Sequence, residues 1–118
     1  MPITDYLSLA RLAAEAAADK KADNILLLDL REQSMVADYF VICSGNTDRQ
    51  LRAIANAIDD AISQEYQTAP HHVEGATSGG WVLMDYGDVI VHILAPSRRA
   101  YYNLEGLWAN APVLLKML

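Results

Sequence analysis

Asp38-Tyr39-Phe40-Val41-Ile42-Cys43-Ser44-Gly45-Asn46-Thr47-Asp48-Arg49-Gln50 decides the fold. Tyr39 to Cys43 is dense in β-branched and aromatic residues, which fit a pleated, packed surface, so it reads as a strand. Ser44-Gly45-Asn46 ends it. Thr47 and Gln50 then have capping-box spacing: the Thr hydroxyl accepts from the backbone N–H at Gln50, and the Gln side chain reaches back. Leu51, Ile54, Ala55, Ile58 and Ile62 follow as one apolar stripe at helical spacing, which predicts a helix to about Tyr66. A strand turning directly into an amphipathic helix points to an α/β domain.

Upstream, Thr4 to about Lys21 reads as a helix. Thr4 is placed at the N-cap, Asp5 in the first turn and Lys20-Lys21 in the last, an order that suits the helix dipole. Its face of Leu9, Leu12, Ala13 and Ala16 is shallow, so it should lie close against a sheet. Ile25 to Leu28 is an apolar run suited to a strand covered on both faces. Downstream, Pro70 opens a weak strand through Glu74. Trp81–Asp85 and Val89–Leu94 are strands around Tyr86-Gly87, where the glycine makes a tight hairpin. Pro96 stops the last strand, Ser97 to about Trp108 reads as a closing helix, and Pro112 lies in a tail expected to be irregular. The element order is αββαβββα: a mixed β-sheet of about five strands flanked by helices.

The 118 residues fit one domain spanning 1–118, and 53% hydrophobic composition is enough for a core. The apolar residues are dispersed, far from the roughly 20 uninterrupted ones of a membrane-spanning helix. Met1 to Asp5 has no basic region followed by an apolar run, so no secretion signal is visible. Cys43 is the single cysteine, which excludes an intramolecular disulfide and a cysteine-rich zinc site. A cytoplasmic setting is the simplest expectation. The net charge is −6, from 15 acidic and 9 basic residues. Phosphate backbones are held by Lys and Arg clusters, and none is evident, so direct nucleic-acid binding is disfavoured. An acidic surface suits a basic protein partner.

Few residues suggest catalysis. Asp85 and Asp88 around the hairpin could bind a divalent ion, but Asp is common in turns because its side chain bonds nearby backbone. Asp88 and His92 are an even number apart and could share a strand face. His92 sits in an apolar run, where a hydrogen-bonded structural role outweighs ligation. His71 and His72 point to opposite faces of a strand and make a poor two-ligand metal site. Ser44 to Thr47 leads into a helix N-terminus but lacks the spaced glycines and Lys of a phosphate loop. Cys43 has no basic neighbour in sequence and reads as a buried thiol. No metal and no cofactor is expected. Trp81 beside a Gly-Gly turn and Tyr86 at a hairpin tip would display aromatic anchors next to Asp85 and Asp88, a surface suited to a basic protein.

Three segments resemble the ribosomal silencing factor family, also called the Iojap family. They are Asp38 to Gln50; Val73-Glu74-Gly75 with Trp81 to His92; and Arg99-x-x-Tyr102-x-Leu104-Glu105-x-Leu107-Trp108. With the first helix, the likeness spans nearly the whole chain in the right order. One departure is Gly106, where relatives often carry Lys or Arg. The resemblance implies a fold similar to that of nucleotidyltransferases and a non-enzymatic role. Such a factor binds the large ribosomal subunit through universal ribosomal protein fourteen and keeps the small subunit from joining, lowering translation when nutrients are short. The interface expected for such a factor takes apolar anchors from Trp81 and Tyr86, charge from Asp85 and Asp88 toward Lys or Arg of the partner, and flanking support from Arg99 and Tyr102. Supporting roles would fall to Asp38, Tyr39, Gly45, Thr47, Gln50, Gly87, His92 and Trp108. Two other readings stand beside it. One is a large-subunit assembly factor using the same surface. The other is a nucleotidyltransferase, for which the required pair of carboxylates alternating on one strand is missing. A homodimer of the free protein is a further expectation, since an exposed aromatic patch favours self-association.

Overall fold

The computed structural model describes residues 5–118. The first helix, α1 (Tyr6–Asp19), is capped by Asp5, whose carboxylate accepts from the Ser8 backbone N–H at 3.2 Å. The cap is therefore Asp5, and Thr4, the expected cap, lies outside the described residues. The Ser8 hydroxyl, donating to Asp5 Oδ2 at 2.6 Å, and then the Ser8 backbone N–H hold the Asp5 carboxyl below its ordinary pKa. Lys20 is the C-cap residue and Lys21 lies beyond it, so neither stands in the last turn as expected. The strands β1 (Asp23–Asp29) and β2 (Tyr39–Ser44) pair antiparallel. Next comes α2 (Asp48–Tyr66), then β3 (His72–Ala76), a 3-10 turn over Thr77–Gly79, β4 (Trp81–Asp85) and β5 (Val89–Leu94).

Two departures from the sequence reading follow β5. The closing helix is broken into α3 (Pro96–Tyr102) and α4 (Leu104–Leu107) by Asn103 at φ 47°. Asn tolerates the left-handed region better than most residues, and here its backbone N–H closes α3 onto the Arg99 carbonyl while its side chain accepts from the Gly106 N–H. The tail is not irregular: Val113–Met117 forms β6, antiparallel to β1, with Leu27 opposite Leu115. Pro112 precedes the strand, where its missing N–H costs no ladder bond.

The result is a six-stranded mixed sheet in the order β3-β4-β5-β2-β1-β6, in which, among the described residues, β2 and β5 alone pair parallel. All six residues of β2 and of β5 are buried, as central strands covered on both faces require. One face packs under α1 and α2. Ala10, Ala13, Ala14 and Ala17 lie flat against Ile25, Leu27, Val41 and Cys43, with Ile54, Ile58 and Ile62 of α2 closing the core. The opposite face carries Leu28, Phe40, Ile42, Ile90 and Leu94 under a thinner cover from Leu104, Trp108 and Ala111.

Candidate docking face

The strand-to-helix turn folds as its sequence dictates. Gln50 N–H donates to Thr47 Oγ1 at 3.0 Å, and Gln50 Oε1 accepts from the Asn46 N–H at 2.7 Å. The Gln50 amide also donates to the Lys21 carbonyl at 3.0 Å, tying the start of α2 to the end of α1. Gly45 is bare because a Cβ would approach Leu51 to 3.0 Å and Ile54 to 3.2 Å. Cys43 is fully buried, and burial pushes its thiol pKa up to about 12, so it is no nucleophile.

Cross-strand partners share a face. Leu83 opposes both Glu74 and His92; Trp81 opposes Ala76 and Leu94; Asp85 opposes His72 and Ile90. Trp81, Leu83 and Asp85 therefore sit on the thinly covered face, all half-buried. Trp81 donates its indole N–H to His92 Nδ1 at 3.2 Å and packs tilted against Tyr102, ring centroids 4.7 Å apart; Tyr102 is itself 46% exposed. His92 packs edge-on against Phe40, and Phe40 against Trp108. Accepting at Nδ1 makes His92 neutral with its proton on Nε2, and burial lowers its pKa to about 4. That Nε2 is buried without a partner among the described residues. With its one donor already engaged, Trp81 offers a partner its ring rather than a hydrogen bond.

Several expected contact residues are placed elsewhere. Tyr86 is not displayed at the hairpin tip. It is 1% exposed and continues the inward series Val82, Met84 under α2, and burial raises its phenol pKa. Arg99 is also buried: Nη1 donates to Ser44 Oγ at 3.0 Å and Nε to Glu105 Oε2 at 3.1 Å, which pins α3 to the sheet and to α4. Asp88 precedes β5 rather than lying on it. Its carbonyl accepts from the Asp38 and Tyr39 N–H groups at 2.8 and 3.0 Å, so it joins the hairpin to β2 through backbone. Asp85 Oδ1 accepts from the Gly87 N–H at 2.7 Å, with Gly87 at φ +92°, which is turn chemistry. Leu83 and Glu74 also lie on this aromatic face and carry no sequence expectation, although period-2 alternation from Trp81 assigns Leu83 to it.

The nucleotidyltransferase reading needs carboxylates beside the Ser44-Gly45 turn. Ser44 pairs with Leu94, whereas Asp85 pairs with Ile90. Four residues of strand, about 13 Å at ~3.3 Å each, separate them along the sheet. Among the described residues no three His, Cys, Asp or Glu side chains converge as a metal site. A polar cavity of about 380 Å³ adjoins Ser44, but Arg99 and Lys116 in its wall are balanced by Asp23 and Glu105.

Residues 4–117 match the family model described as ribosomal silencing factor during starvation. The chain belongs to the ribosomal silencing factor family. It is 47% identical to the ribosomal silencing factor of Bacillus subtilis over 106 residues, 90% of this chain and 89% of that one. A crystal structure of a protein from Chromobacterium violaceum superposes with a TM-score of 0.84 at 33% identity, covering 90% of this chain and 88% of that one. One from Bacillus halodurans gives 0.77 at 39% identity, covering 92% and 98%. The family's Trp81 to His92 segment is thus the β4–β5 hairpin, whose outward residues form the aromatic face. Among the described residues no helix is long and apolar enough to cross a membrane.

Proposed function

We propose that this chain docks on the large ribosomal subunit, through its universal ribosomal protein fourteen, and sterically blocks the small subunit. The observation that carries the reading is a half-buried Trp81, braced by His92 and Tyr102, on the thinly covered face of a ribosomal silencing factor fold. Aromatic anchors of this kind concentrate binding energy, while surrounding polar groups exclude water and select the partner. Asp85 on the same face and Asp88 at the hairpin supply negative charge toward a basic ribosomal protein. Tyr86 and Arg99 act beneath the surface, one as core and one as a strut. Blocking is steric, so no covalent step is involved.

Mixing purified subunits at joining concentrations of Mg²⁺, with the chain in excess, tests it. Sedimentation should show free large and small subunits in place of joined ribosomes, and Asp85→Lys should restore joining. Undiminished joining at saturating protein contradicts the reading.

A further inference from the structure

We propose that the trough between β3 and β4 is a socket for an arginine side chain of the docking partner, an inference that rests on the docking reading above. The trough holds about 300 Å³ and is lined by Glu74, Gly75, Trp81 and Leu83. Glu74 stands directly opposite Leu83, and Trp81 lies one diagonal step along the same face. Gly75 sits at φ +82°, where a Cβ would fall 2.1 Å from the Trp81 carbonyl oxygen. No other residue fits there, so the backbone wall beside Trp81 stays bare.

The chemistry of this lining selects its occupant. Leu83 and the indole offer apolar surface for an aliphatic stem, and the indole is the strongest aromatic platform for a cation. Glu74 places a carboxylate at the rim. Its Oε1 meets His72 Nε2 at 2.9 Å, but both side chains are about 60% exposed, so that contact exchanges readily with solvent. Its Oε2 has no partner among the described residues. A planar, weakly hydrated guanidinium can stack on a ring and pair with a carboxylate at once, whereas an ammonium is compact and strongly hydrated. An acidic side chain would meet Glu74 on a chain of net charge −6. Because the Trp81 N–H is engaged by His92, the socket asks for no acceptor on the ligand.

The test titrates the folded chain with Nα-acetyl-arginine methylamide, following the Trp81 indole and Gly75 amide resonances by NMR. The norleucine analogue and a Glu74→Gln variant run in parallel. Arginine should shift both resonances saturably, norleucine should not, and Glu74→Gln should weaken the effect about tenfold, as loss of one charge-assisted bond implies. Equal response to norleucine, an unaffected Glu74→Gln, or no shift at all overturns the socket. A second arm uses purified large subunits, where Glu74→Gln should weaken binding about tenfold and flatten its salt dependence. Wild-type binding of subunits with an indifferent Glu74→Gln removes the socket from the interface and leaves docking intact. Saturable arginine binding without subunit binding removes docking and leaves the socket.

Discussion

The two faces of the sheet are built from similar strands but closed differently. One lies under two helices of 14 and 19 residues, α1 and α2, whose Ala and Ile stripes bury Ile25, Leu27, Val41, Cys43, Met84, Val91 and Ile93. The other lies under helices of seven and four residues, hinged at Asn103, which cover Phe40, Ile42 and Ile90 but leave Trp81 and Leu83 half-open. A long helix with a continuous stripe finishes a core. Two short, broken ones leave an aromatic surface that the fold has braced but not buried. Core and outward aromatic face are thus separated by strand parity: Val82, Met84 and Tyr86 face in, while Trp81, Leu83 and Asp85 face out.

That contrast can be broken at several points. Ile58 is fully buried between α2 and the sheet, so Ile58→Ala should cost about 2–5 kcal/mol in urea unfolding, cavity included. A loss below about 1 kcal/mol would mean the covered face is not close-packed.

His92 gives the next largest effect. Its folded pKa, about 4, lies below the ordinary 6.5, so the unfolded chain binds the extra proton. Stability should be full above pH 6.5 and fall as pH drops toward 4, by about 3 kcal/mol in all. A His92→Phe variant should lack this dependence between pH 6.5 and 5, above most carboxylate titrations. Parallel pH profiles in both proteins would show that His92 is not held neutral. Smaller still, Thr47→Ala should cost about 1 kcal/mol by removing the cap bond to Gln50. Subunit binding should not change, since the cap belongs to the covered side.

Much of this was legible in residues 38–50, because a capping box and an adjacent apolar strand are local signals. The Trp81 to Leu94 hairpin was legible for the same reason. β6 was not: Val113-Leu114-Leu115-Lys116-Met117 has no clear alternation, and its partner β1 lies some ninety positions away. Arg99 reads as a surface cation until Ser44, 55 residues distant, and Glu105 are seen to enclose it. Tyr86 was misplaced by treating the hairpin tip as exposed, when the parity of Val82 and Met84 already pointed inward. The break at Asn103 rests on one left-handed residue inside an otherwise helical pattern, which propensity alone does not locate.

The central claim is that binding belongs to the outward series and not to the inward one. It is tested most directly by passing purified large and small subunits over immobilised wild-type, Trp81→Ala and Tyr86→Phe proteins, each first shown to be folded by circular dichroism. Wild-type and Tyr86→Phe should retain large subunits alone, and Trp81→Ala should lose that retention. Retention by Trp81→Ala, or its loss in Tyr86→Phe, would place the interface on another surface and contradict the account.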